Sequence, residues 1–138
     1  DFLPDRLECG TLNIAGILSL RAGIAFVKKT GTAAIFQHET TCCNKLLSML
    51  QTMPQVTVYR QPGAAYAPIV SFNIQNLSSE ETAELLDQKG FCLRAGLHCA
   101  PLAHRTIGTI DGGTVRFAPS IFNTLPEVVA LGNAIRNL

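Results

Sequence analysis

The stretch LNIAGILSLRAGIAFV, residues 12–27, limits the fold more than any other part of this chain. One charge, Arg21, and two glycines, Gly16 and Gly23, interrupt it, so it falls short of the roughly 18–20 apolar residues that span a bilayer. It is also too apolar to face water on every side. Its apolar positions Ile14, Ile17, Leu18, Ile24, Ala25 and Val27, behind a capping Asn13, predict a helix over 14–29 that is buried on most sides. With 138 residues, 47% hydrophobic and 15% charged, the chain has the material for one globular domain with its own core.

Gly31 marks a break, and residues 32–53 predict a second, longer helix. There Ile35, Phe36, Leu46, Leu47 and Leu50 are set against Glu39, Asn44, Lys45 and Gln51 on other faces, and Pro54 stops it. VTVYR (56–60) and PIVSFNI (68–74) are rich in β-branched and aromatic residues and predict two strands joined by the loop QPGAAYA. Ser78 and Glu81 form a capping-box pattern ahead of a short helix with Leu85 and Leu86 inward and Gly90 as its stop. A strand FCLR (91–94), a segment RAGLHCAPLAH (94–104) too broken to be helix, and a strand GTVRFAP behind an Asp-Gly-Gly turn follow. A closing helix carries a second capping box, Thr124 with Glu127. The order ααββαββα predicts an α+β fold, a small sheet with helices packed on it.

A formal net charge of +1, with no basic run longer than Lys28-Lys29, gives no footprint for nucleic acid or an anionic membrane surface. Five cysteines, an odd number, and an N-terminus without a signal-peptide pattern point to a reducing, cytoplasmic setting. Mean hydropathy is positive, so some apolar surface is expected to meet a partner. The sequence opens at DFLPDRLECGT without an initiator methionine, which is expected of a piece of a longer polypeptide.

The chemistry-bearing residues gather late in the chain. Cys42 and Cys43 are neighbours on a helix and diverge, and no C-x-x-C occurs, so no metal site is expected. Cys9, Cys42, Cys43 and Cys92 read as small buried hydrophobes, Cys92 most of all because it lies in a strand. Cys99 has polar neighbours in His98, Arg94 and His104 that would favour a reactive thiolate; nucleophile and structural thiol stay open on spacing alone. Arg116 alternates with Val115 and Phe117 in a strand and offers a planar fork to a carboxylate, or equally an edge charge to water. Gly10 and Thr11 precede the first helix with the N–H and hydroxyl groups that can take a phosphate, though an ordinary helix-leading turn has the same composition.

Together RLECGTLNIAGILSLRAGIAFV, NLSSEETAELLDQKGFCLRAGLHCAPLAH and GTVRFAPSIFNTLPEVVAL resemble the C-terminal part of class V aminotransferase-like, pyridoxal-phosphate-dependent cysteine desulfurases and selenocysteine lyases, over essentially the whole chain. The resemblance implies the small domain of a fold-type I enzyme over residues 1–138, with about 1–30 as a hinge to an N-terminal domain that binds the cofactor. The Ser-x-His-Lys-like motif of the Schiff-base lysine is not in this sequence, and neither Lys28, Lys29, Lys45 nor Lys89 stands in that context. It further implies that Cys99 attacks the substrate sulfur to give alanine and an enzyme persulfide, with His98 as a second catalytic residue and Arg94 as a substrate-binding one in the same loop. Arg116 would hold the substrate carboxylate, and Gly10 and Thr11 would reach the cofactor phosphate of a second subunit in a homodimer. A sulfur-acceptor protein is a further implied partner, and this chain alone is expected to be inactive. Many relatives with this loop carry two histidines before the cysteine, whereas here the first is Leu97. Another class V enzyme, or a non-catalytic α+β interaction module, is the alternative reading.

Overall fold

A computed structural model of the chain describes residues 2–7, 10–61 and 63–138; the reading of Cys9 lies outside them. The elements are α1 (Ile14–Thr30), α2 (Thr32–Leu50), β1 (Val56–Val58), β2 (Val70–Ile74), α3 (Ser79–Asp87), α4 (Pro101–Thr106), β3 (Val115–Phe117) and α5 (Leu125–Arg136), after a short 3-10 turn at Asp5–Leu7. They fall into two compact units, Asp1–Ile35 and Phe36–Leu138.

The first unit is built around α1. Asn13 caps it as its sequence predicts, its Oδ1 accepting from the Gly16 N–H at 2.9 Å, and Gly31 ends it with φ +86°. The expectation of burial fails: α1 buries no residue, and Ile14, Ile17, Leu18, Leu20 and Ile24 are all exposed. The physical reason is that a helix buries a stripe only against a second layer, and its own unit supplies none. Among the described residues no helix is long and apolar enough to cross a membrane.

The second unit holds the core. In α2, Cys42, Cys43, Leu46, Leu47 and Leu50 recur at helical spacing and form one buried face. The sheet is antiparallel in the order β1-β2-β3, with Val56 opposite Ile74 and Phe72 opposite Val115. In the central β2, Val70, Phe72 and Ile74 point inward while Ser71 and Asn73 alternate with them. Leu86 of α3 and Val128, Leu131 and Ile135 of α5 complete one apolar cluster with these residues. Both capping boxes form, Ser78 with Glu81 at α3 and Thr124 with Glu127 at α5.

Two local expectations need correction. FCLR is not a strand; among the described residues only Arg94 pairs, in a single antiparallel bridge with Arg116. The alternation survives without the ladder: Phe91 and Leu93 pack on the core, and Cys92 faces out and is exposed rather than buried. The second correction lies within 94–104, where Pro101 opens the one-and-a-half-turn helix α4, because its fixed φ suits a first helical position.

Candidate active site

The cysteine turn is set by backbone before any side chain acts. The Arg116 N–H donates to the Arg94 carbonyl at 2.8 Å, and Gly96 and Thr114 exchange N–H to carbonyl bonds, each 3.1 Å. Gly113, at φ +61°, lies against Gly96 so closely that a Cβ there would sit 2.4 Å from the Gly96 carbonyl carbon. Gly113 is therefore what lets these segments touch, while Gly96 serves through its φ of +94°, a conformation that favours glycine. Asn73 of β2 adds a hold, its Nδ2 donating to the Gly113 carbonyl at 3.0 Å. Beyond Gly96 the Ala100 N–H donates to the Leu97 carbonyl at 2.8 Å, and the two residues inside that turn, His98 and Cys99, both take left-handed conformations at φ +52° and +59°. Each such residue costs about 1–3 kcal/mol, which surrounding contacts must offset.

The side chains then gather around that turn. Cys99 is exposed, and Arg94 Nη2 donates to its Sγ at 3.8 Å. His98 turns its Nε2 inward to the Thr114 carbonyl at 3.0 Å. Burial first, and the Arg116 guanidinium second, push the His98 imidazole below its ordinary pKa. His104, read from sequence as one neighbour of Cys99, is buried in α4, its ring centroid 5.7 Å from that of His98 and its Nδ1 2.7 Å from Thr109 Oγ1.

Arg116 is half-buried in β3, and its Nε is buried without a partner. It lines a cleft of about 340 Å³ together with Phe91, Leu93, Phe117, Asn123 and Glu127. Glu127 is the carboxylate of that cleft, but its Oε2 accepts from the Thr124 N–H at 2.7 Å and the Thr124 hydroxyl at 3.1 Å. A buried guanidinium N–H without an acceptor is costly, and an incoming carboxylate can remove that cost.

Of the residues singled out from sequence, the second unit thus brings Arg94, His98, Cys99 and Arg116 around one bridge. Gly10 and Thr11 belong to the first unit, where both are exposed just ahead of the Asn13 cap. To the residues singled out from sequence the structure adds Thr109, Gly113 and Thr114, near which the Asp-Gly-Gly turn is the one sequence signal. Among the described residues no group of three or more His, Cys, Asp or Glu could hold a metal ion.

Known proteins resemble this chain along nearly its whole length. A probable cysteine desulfurase of Methanothermobacter thermautotrophicus is 34% identical over 137 residues, covering 98% of this chain and 34% of the relative. A cysteine desulfurase of Synechococcus elongatus is 34% identical over 139 residues, covering 98% of this chain and 21% of the relative. The apo structure of a cysteine desulfurase from Thermococcus onnurineus superposes with a TM-score of 0.87 at 30% identity, over 97% of this chain and 33% of that one. The chain therefore spans between about a fifth and about a third of the length of these proteins. The family described as aminotransferase class-V is matched over residues 1–131, nearly the whole chain, and to that family the chain belongs.

Proposed function

We propose that this chain supplies the small C-terminal domain of a pyridoxal-phosphate-dependent cysteine desulfurase, with about residues 1–30 as its hinge. Cys99 is then the thiol that takes sulfur from L-cysteine, or selenium from selenocysteine. The observation that carries this reading is an exposed thiol in a left-handed turn, 3.8 Å from a guanidinium whose own backbone bridges to Arg116, the arginine with an unsatisfied buried Nε.

The donor set fits an amino-acid substrate and its cofactor in part. Arg116 offers the substrate carboxylate a planar, half-buried fork. Gly10 and Thr11 offer an exposed hydroxyl and N–H groups to a cofactor phosphate, which the family resemblance assigns to a second subunit. Lys28, Lys29, Lys45 and Lys89 are all exposed, so none has the desolvated setting that activates an amine for covalent attachment; that lysine is assigned to the rest of the enzyme. When bound, pyridoxal phosphate supplies the electron sink for the substrate carbon skeleton.

What the chain's own residues contribute is the soft nucleophile. The Cys99 sulfur attacks the substrate sulfur; an S–S bond forms on Cys99 as the C–S bond breaks, and the C–S electron pair stays with the carbon fragment, which takes a proton and leaves as alanine. Arg94, donating toward Sγ, is placed to stay with the sulfur as it becomes a persulfide. A persulfide on an exposed turn is open to an acceptor protein. The deciding assay supplies L-cysteine and pyridoxal phosphate to the full-length protein that carries this chain and quantifies alanine. Loss of at least two orders of magnitude in Cys99→Ala is expected; undiminished alanine in that variant would assign the sulfur chemistry elsewhere.

A further inference from the structure

Two imidazoles and two threonines meet behind the cysteine turn, and sulfur transfer as drawn above uses none of them directly. His98 Nε2 lies 3.0 Å from the Thr114 carbonyl oxygen and 3.4 Å from Thr114 Oγ1. A carbonyl can only accept, so Nε2 carries the proton and donates. The other ring nitrogen, Nδ1, is buried without a partner. In an imidazolium, Nδ1–H would be a buried donor with nothing to receive it; in the neutral Nε2–H tautomer Nδ1 is only an unused lone pair, which costs less. The charged and titratable groups that face the ring are Arg116 on β3, His104 on α4 and Arg94 at the bridge, each cationic or cationic once protonated. None favours a second positive charge there.

Behind that ring His104 is 4% exposed and tilted 48° to it. His104 is held from two sides by one residue: Thr109 Oγ1 meets its Nδ1 at 2.7 Å, and the Thr109 N–H donates to its carbonyl at 2.8 Å. The Thr109 carbonyl in turn accepts from the Gly113 N–H at 2.8 Å, one residue before the Thr114 carbonyl that holds His98. The chain of contacts closes on itself, from His98 through His104 and Thr109 to Thr114 and back.

We propose that His98 is a positioning residue, a neutral Nε2–H imidazole that pins the Cys99 turn to Thr114, and that His104, locked by Thr109, is the buttress that keeps the ring in place. His98 then neither takes nor gives a proton at sulfur; it stabilises two consecutive left-handed residues. The role rests on Cys99 as the sulfur-accepting thiol for its purpose, yet the state of the imidazole is readable without any turnover.

The test labels histidine with 15N in the full-length protein, assigns the rings through His98→Asn and His104→Ala, and follows tautomer and titration from about pH 5 to 8, the range in which histidine changes charge. At neutral pH His98 is expected to show a protonated Nε2 and a bare Nδ1, with a midpoint below the ordinary histidine value of about 6.5. In His104→Ala that midpoint should move up, and the rate of Cys99 alkylation, followed by peptide mass spectrometry, should depart from the parent's. A His98 that carries its proton on Nδ1, or is an imidazolium at neutral pH, overturns the proposal, as does a midpoint unmoved in His104→Ala. Should His104→Ala fail to fold, the tautomer in the parent decides alone. Alanine production that still depends on Cys99 beside a wrong tautomer would refute the anchor and leave the desulfurase reading standing.

Discussion

The two long helices, α1 and α2, invert a simple expectation. α1 is the more apolar and buries nothing; α2 carries more polar residues and buries five, Cys42, Cys43, Leu46, Leu47 and Leu50. The difference lies in arrangement and company. The apolar residues of α2 share one face, and β2 and α5 bring side chains to meet it in a common cluster, whereas those of α1 are spread around the helix in a unit that offers no second layer. Apolar content sets how much surface wants cover, and only a facing layer decides whether it is covered.

The largest effect that could break this contrast is cavity formation. Phe72 is fully buried at the centre of the sheet, and Phe72→Ala should cost about 3–5 kcal/mol, read as a lowered urea midpoint. Ile17→Ala in α1, where the residue is 52% exposed, should stay within about 0.5 kcal/mol. Comparable losses at the two sites would mean that α1 is packed as core.

A smaller effect separates two glycines. Gly113→Ala places a Cβ against the Gly96 backbone at a left-handed φ, and should destabilise by about 1–3 kcal/mol while loosening the cysteine turn, seen as a changed Cys99 alkylation rate. Gly23→Ala in α1 meets nothing within 4 Å and should instead favour the helix by about 0.5–1 kcal/mol. If Gly113→Ala is neutral, the close approach of the two backbones is not what sets the turn.

The smallest effect is an acid one, and it also divides the helices. N–H groups of Ser78 and Thr124, backbone first and then the hydroxyls, hold the Glu81 and Glu127 carboxylates below their ordinary range. A depressed carboxylate pKa stabilises the fold fully above the unfolded value of about 4.3 and ceases to do so as pH falls through the folded one. The starts of α3 and α5 should therefore lose hydrogen-exchange protection on acidification below that value. α1 has no acidic residue in its first turn and an uncharged Asn13 cap, so its start should not respond. An equal response at all three would remove the carboxylates from the account.

Local rules read well from sequence and long-range ones did not. Ser78 with Glu81 and Thr124 with Glu127 act across three residues, so their pattern carries the whole interaction, and the strand segments around Phe72 and Val115 carry their alternation. The failure at 91–94 has a different origin: Phe91 and Leu93 alternate as a strand does, but strand pairing depends on a partner far along the chain, and only Arg94 finds one. Cys99, Arg94 and Arg116 stand in the motifs that carry the resemblance, and the fold brings them around one bridge. Thr109, Gly113 and Thr114 were not, because a threonine hydroxyl or a glycine gains meaning only from what approaches it in space, and no spacing announces that His104 and Gly96 do.

The pair of thiols in α2 has a bearing on how this protein meets electrophiles. Burial, with Glu39 nearby, pushes both up, Cys43 to about 11 in spite of Arg60, so they stay protonated and enclosed at neutral pH. Of the described cysteines, the two left outside are Cys92 and Cys99. A folded sample met by an alkylating reagent is thus a two-compartment system: an outer pool that answers at once and an inner pool that answers only when the core opens. The delay between them is a clock for unfolding that the molecule carries in its own sulfur.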